Sequence, residues 1–528
     1  MTDAPDAPVV GLVLSGGGAR ASFQIGALRY LYDQVGIAPS VVTGTSAGSI
    51  LGSVLAQSAE RDGQRAALAE LERLFRGMQD SAEMFEELPW FSRLRERGPV
   101  SAEALERRKR RQGALGRSFK RVAVLREEIS TAAERVVRTA NGDGRRAEEP
   151  GTEEPGTAEP GTDQSPAEHP PVPAPPSRLT PAGEPADEDA EGAEQERTAG
   201  PSTSGGSRVL ESLEMLRTMS RASSDLETIA EGARQERSMY RPGPIVDRLV
   251  DPEVFRSEAV AESGVTLRIA VVGLESGELR YVTEDGALVD RENRPLGDGP
   301  VDLVDAVRAS CAIPMVFPPV RLGRENYVDG GVRESLPADV AMTHLGVDTC
   351  YAVVAGPSGL RRETSYDDKD MLTILMRTTT AIMTDEVQRD EVVRARDAGA
   401  VVIEPEFDVH DTLTIDPGLV ALAMDYGYMR AAEAVLGASA EEQAVTRELI
   451  LLRRRIWHAE EEAFAGDAAE PARLELVAEI AGLKYTLREL VSRVPAGRLP
   501  EGAEEWWRTW ERHRAEITLA PSWVPPRG

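Results

Sequence analysis

The 528-residue chain has only two cysteines and five histidines. So few cysteines exclude a disulfide-stapled fold and a cysteine-built zinc module. The histidines are scattered at His169, His344, His410, His458 and His513, and none forms an H-x-x-x-H pair. That argues against a histidine metal centre. Positive charge is also short, since 61 Lys and Arg against 89 Asp and Glu leave a formal net charge of −28. Binding through nucleic-acid phosphates needs a basic footprint, and this balance argues against it. No apolar run reaches the roughly 18 residues of a spanning helix. The opening Met1-Thr2-Asp3-Ala4-Pro5-Asp6 is acidic where a signal peptide is basic. These absences predict a soluble, cytoplasmic protein with no metal, no other cofactor and no nucleic-acid partner.

The middle of the chain lacks apolar side chains. Residues 141–206 hold one Leu, one Val, no aromatics and 12 of the 35 prolines, with 15 acidic and 4 basic residues. Glu148 to Thr162 reads three times as E/A-E-P-G-T. Such a segment cannot offset its ordering entropy by burial, so it is expected to be a disordered, solvated linker. Helical patterns flank it at Val122 to Arg138 and around Leu210, Leu213, Leu216 and Ile229. An insertion over 96–240, helical at its ends, is the resulting expectation. It carries one dense positive run, Arg107-Arg108-Lys109-Arg110-Arg111. That run either pairs with nearby acids or makes peripheral contact with an anionic membrane.

Around the insertion, strand-like and helix-like patterns alternate. Val9 to Leu14 reads as a strand, Phe23 to Asp33 as a helix, and Val41-Val42-Thr43 as a strand running into another helix. Strands at Leu267 to Val272, Arg280 to Thr283 and Tyr351 to Ala355, with a helix at Val301 to Ser310, continue the alternation. This predicts an α/β layered fold with a mostly parallel sheet flanked by helices, over 9–95 and 241–435. In the tail, 436–528, Val445, Leu449, Leu452 and Ile456 form one stripe and Leu474, Val477, Leu483, Leu487 and Leu490 a second. They predict an antiparallel helical pair, with Trp506, Trp507 and Trp510 on a third short helix. Packing or oligomerisation fits that tail better than chemistry.

Two segments promise chemistry. The first is Ser15-Gly16-Gly17-Gly18-Ala19-Arg20-Ala21, after a strand and before a helix. Converging backbone N–H groups and a helix N-terminus make such a loop an anion or oxyanion cradle. It also fits a dinucleotide fingerprint, but that site wants an acid at the end of the second strand. The second strand ends instead in Gly44-Thr45-Ser46-Ala47-Gly48, a G-x-S-x-G between strand and helix, which projects a serine hydroxyl from a sharp turn. The alternative for Ser46 is a plain helix N-cap.

A serine needs a base. His344 falls in a helix after Asp339, His458 and His513 lie in the tail, and His169 in the linker. His410, before Asp411 in a loop, is the outside candidate among the histidines. The better base is Asp329 in Tyr327-Val328-Asp329-Gly330-Gly331, a strand end turning on two glycines. Ahead of it runs Ser310-Cys311-Ala312-Ile313-Pro314-Met315-Val316-Phe317-Pro318-Pro319.

These four motifs, in this order, resemble the patatin-like phospholipase family over about 9–95 and 240–345. The resemblance implies a Ser–Asp dyad of Ser46 and Asp329, with Gly44, Gly48, Gly330 and Gly331 as motif glycines. It implies an oxyanion loop at Gly16, Gly17 and Gly18, with Ala19 and Arg20 beside it. Ala21 stands where the family usually has Gly. The implied activity is serine acyl hydrolysis of lipid esters, of phospholipase A or lysophospholipase type, with phospholipid or another lipid ester as substrate. The competing expectation is a lipid-surface binding or scaffolding protein with a residual hydrolase core, against which both motifs are intact.

Overall fold

A continuous apolar run suits a strand covered on both faces. Val10–Leu14 (β1) is such a strand in the computed structural model, which describes residues 8–97, 235–249, 251–360, 362–367, 369, 371–464, 470–511 and 520–524. The expected linker at 141–206, the helical ends of the insertion, Arg107–Arg111, His169 and His513 lie outside the described residues.

The other described strands, in chain order, are β2 (Val41–Thr45), β3 (Phe85–Glu87), β4 (Tyr240–Pro242), β5 (Thr266–Gly273), β6 (Leu279–Thr283) and β7 (Leu288–Val289). After them come β8 (Val320–Leu322), β9 (Glu325–Asp329), β10 (Thr349–Val353) and β11 (Val401–Ile403). The main sheet runs β11-β10-β1-β2-β5-β6-β7, and β9 pairs with both β5 and β8. Every pair from β11 to β5 is parallel, while β6 to β9 join antiparallel. The sheet is therefore mixed, and parallel through its centre. β3 and β4 form a separate antiparallel ribbon.

Helices cover both faces. Leu12 and Leu14 face one layer, where the helices Ala21–Tyr30, Ala47–Leu55 and Pro417–Leu436 bury Ile25, Leu28, Leu51, Val420 and Met424. Val13, on the opposite face, packs with Leu336, Val392 and Ala395, the last two from the helix Met383–Asp397. The helix that follows the glycine loop crosses Pro417–Leu436 at very short range. A Cβ on Gly26 would lie 1.8 Å from the Met424 carbonyl oxygen, and one on Gly427 would lie 1.9 Å from that of Phe23. Only glycine allows that approach.

The tail forms the expected helix pair, Ala440–Phe464 and Glu470–Arg493, with Leu449, Ile456, Ile480 and Leu487 buried in the same core. Arg455 on the first reaches Glu479 on the second at 2.7 Å. Buried Arg453 reaches Asp425 of Pro417–Leu436 at 2.8 Å and Glu511 at 3.0 Å, tying the tail to the layer behind the site. The third short helix is smaller than expected. Trp506 and Trp507 lie in the 3-10 turn Ala503–Arg508, whereas Trp510 falls beyond its end and packs edge-on against Phe464 and Trp523.

Candidate active site

Sheet register brings two chain ends together. The parallel pairing of β2 with β5 stops at Thr45 opposite Ala270, and the next residue, Ser46, turns away. On β5 the next residue, Val271, pairs with Asp329, the last of β9. Because β6 occupies the other edge of Val271 and Val272, β9 takes up the edge that β2 leaves. Ser46 and Asp329 thus meet end to end beside one strand.

Ser46 sits at φ 53°, ψ −125°, a conformation that costs an L-residue about 1–3 kcal/mol. Two close approaches hold it. A Cβ on Gly44 would lie 2.5 Å from the Gly48 carbonyl oxygen, and one on Gly48 would lie 2.4 Å from that of Leu14. The turn folds so tightly that both positions must lack a side chain. The Ser46 N–H donates to Ser310 Oγ at 2.9 Å, and that hydroxyl donates to the Ala270 carbonyl at 2.8 Å. Ser310 therefore ties the elbow to β5. The helix Ala47–Leu55 starts immediately after Ser46, so its positive end faces the hydroxyl.

The Ser46 side chain lies near enough to the Asp329 carboxylate to favour its charged form. Asp329 Oδ1 accepts the Gly331 N–H at 2.8 Å. Burial pushes the Asp329 carboxyl up to about 6, an effect that the nearby Ser46 hydroxyl and the Gly331 N–H only partly oppose. At neutral pH it is a carboxylate with raised basicity, suited to take a proton from serine. The Cys311 thiol lies near the Ser46 and Ser49 side chains. Burial, reinforced by the Asp329 charge, pushes its titration far above the ordinary thiol range, so the sulfur stays neutral and protonated.

The glycine loop lies directly against the serine, since a Cβ on Gly16 would be 3.3 Å from Ser46 Cβ. Its N–H groups are not equivalent. Gly16 donates to the Ser335 carbonyl at 3.1 Å, Ala19 to that of Thr412 at 2.9 Å, and Arg20 to that of Gly17 at 3.2 Å. The N–H groups of Gly17 and Gly18 have no such partner among the described residues. Arg20 points its guanidinium at Asp408, 2.7 Å away, so its side chain anchors the loop to the segment after β11.

The turn after Asp329 supports that loop. Ser335, whose carbonyl receives the Gly16 N–H, donates its own N–H to Glu391 Oε2 at 3.0 Å, and Leu336 donates to the same oxygen at 2.8 Å. Burial first and the neighbouring Glu334 second push the Glu391 carboxyl up to about 8. Neither Glu391 nor Ser310 carries a role in the sequence reading; Ser310 stands in the S-x-A-I-P motif, and Glu391 leaves no signal in a charged helix.

The outside candidate, His410, does not join the dyad. Its Nε2 lies 3.0 Å from Ser22 Oγ and its Nδ1 3.0 Å from the Asp411 carbonyl. Burial lowers its pKa, so the ring is neutral. Nδ1 then donates to Asp411 and Nε2 accepts from Ser22, which makes this a satisfied core histidine. His344 is exposed in the turn Val340–His344, and His458 packs edge-on against Trp457 on the tail helix. Among the described residues no group of three or more His, Cys, Asp or Glu could hold a metal ion. No helix among them is long and apolar enough to cross a membrane.

No curated protein matches the chain. Among solved structures, VipD from Legionella pneumophila is similar at 13% identity with a TM-score of 0.29, covering 97% of this chain and 94% of that one. The sequence model of the patatin-like phospholipases matches residues 12–165 and 202–342, more than half of the chain. Those ranges include the glycine loop, the serine elbow and the Asp329 turn, and the chain belongs to the patatin-like phospholipase family of ester hydrolases.

Proposed function

We propose that the chain hydrolyses acyl esters of phospholipids or other lipids through Ser46 and Asp329. The register that brings Ser46 beside a desolvated Asp329 carboxylate at the edge of β5 carries this reading. Asp329 accepts the hydroxyl proton as Ser46 Oγ attacks the ester carbonyl. The carbonyl oxygen becomes an oxyanion, and the N–H groups of Gly17 and Gly18 receive it; one such donor is worth about 10²–10³ in rate. Asp329 then passes the proton to the departing alcohol oxygen, leaving an acyl group on Ser46. Water attacks that ester, giving its proton to Asp329, and the fatty acid leaves as Ser46 recovers its hydrogen.

In this reading Gly16 shapes the loop, Ala19 and Arg20 anchor it, and Gly44, Gly48, Gly330 and Gly331 allow the turns to close. The intact dyad favours catalysis over a scaffold with a residual core. The test incubates purified wild type and Ser46→Ala with a panel of phospholipids and lysophospholipids and measures released fatty acid. Release by wild type and none by the variant is expected. Equal release by both removes Ser46 from the reaction.

A further inference from the structure

An uncharged, exposed face stands close to the site, with no partner among the described residues. The segment from Met371 through Asp397 is continuous helix, α-helical at Met371–Met376, π-helical at Arg377–Ile382 and α-helical again at Met383–Asp397. Its second half is pinned beside the glycine loop. Gln388 Oε1 accepts the Ser335 hydroxyl at 3.3 Å, Gln388 Nε2 donates to the Gly356 carbonyl at 3.2 Å, and Asp385 accepts the Gly359 N–H at 2.7 Å. Its first half runs outward from these anchors. Ile374, Leu375, Ile382 and Met383 are 45%, 44%, 50% and 59% exposed. In a helix widened by the π turn, residues four apart share a side. Exposed Thr378 and Thr379 therefore complete one face with those four residues.

Two features say what that face meets. In a chain of net charge −28, the stretch Met371 to Thr384 contains one charged residue, Arg377, and no acid. Its threonine hydroxyls are already spent on their own helix: Thr378 donates to the Ile374 carbonyl at 2.9 Å, Thr379 to Leu375 at 2.8 Å, and Thr380 to Met376 at 2.8 Å. Leaving water thus strands no polar side-chain atom on this face, which is the condition for entering hydrocarbon. At 1.5 Å per residue the face begins about 7 Å from Gln388 along the helix and ends about 20 Å from it.

We propose that the face of Ile374, Leu375, Thr378, Thr379, Ile382 and Met383 docks on a lipid surface and sets the Ser46 site against it. This deepens, and rests on, the lipid-ester reading above. The docking is apolar in origin, so it holds on a zwitterionic surface and at high salt. A net acidic protein gains nothing from charge there.

The test uses vesicles of phosphatidylcholine and the full chain carrying Ser46→Ala, so that no lipid is consumed. Flotation measures binding with and without Ile374→Gln, Leu375→Gln, Ile382→Gln and Met383→Gln together. The glutamines are good helix formers on an exposed face; if the combined variant fails to fold, Ile382→Gln with Met383→Gln carries the test. The expected result is binding weakened about tenfold or more, while the same changes with Ser46 intact leave hydrolysis of a soluble short-chain ester within about twofold of wild type. Loss of binding supports the docking even where no ester is hydrolysed, so the two claims fail separately. Unchanged vesicle binding overturns it. So does light scattering that shows a dimer made monomeric by these changes with vesicle binding retained, since the face then belongs to a second copy.

Discussion

Ser46 and Asp329 face each other across the point where one strand replaces another on the edge of β5, opposite Ala270 and Val271. In the proposed mechanism the pair needs no histidine, because the carboxylate stands beside the serine and burial raises its basicity. The same burial makes the site a cost to the fold.

Replacing Asp329 with Asn separates the two effects. A carboxyl moved from 3.8 to about 6 is destabilised as the anion by about 3 kcal/mol. Asn keeps an acceptor for the Gly331 N–H and carries no charge. Asp329→Asn is expected to lose esterase activity and to gain about 1–3 kcal/mol of stability at pH 7. A denaturant titration beside an activity assay checks both; retained activity or a loss of stability contradicts the account.

Acidity pulls stability and activity in opposite directions. Asp329, Glu334 and Glu391 are pushed by burial to about 6, about 7 and about 8, above their ordinary values of 3.8, 4.5 and 4.5. Between those limits these three groups hold more protons in the folded chain than in the unfolded one. They outnumber buried His410, whose lowered pKa acts the other way, so stability falls as pH rises from about 4.5 to about 8. Activity needs the Asp329 anion and rises through about 6. Melting temperatures and kcat/KM measured across this window are expected to trend oppositely. A melting temperature that climbs with pH, or a rate that is flat down to about pH 5, counts against it.

Much of the site is legible in the sequence because its parts are local. The elbow, the D-G-G turn and the glycine loop each announce themselves within a few residues. Which loop N–H groups are free is not local. It depends on Ser335 and Thr412, hundreds of residues away, which claim those of Gly16 and Ala19. Ser310 gains its bridging role only when Ala270 lies beside it. The helix Pro417–Leu436 escapes a periodicity reading because it is apolar on nearly every side, although Asp416 and Pro417 mark its start. Glu391 lies in Met383–Asp397, whose charges read as a solvated face, and only the tertiary fold buries it.

Glu391 is accordingly a positioning residue. Its one oxygen accepts two N–H groups in the turn that holds the Gly16 loop. Glu391→Ala leaves both donors unpaired and is expected to cost about 2–4 kcal/mol and to lower kcat. Glu391→Gln keeps an acceptor and is expected to restore both, as followed by thermal melts and ester turnover. A Gln variant as damaged as the Ala variant contradicts the assignment.

The most direct measurement traps the nucleophile. A fluorophosphonate reacts with an activated serine hydroxyl and stays attached, and the modified peptide is located by mass spectrometry. The account predicts a single adduct on Ser46, absent in Ser46→Ala and formed about 100-fold more slowly in Asp329→Asn. An adduct on another residue, or equal labelling rates with and without the Asp329 carboxylate, would contradict it.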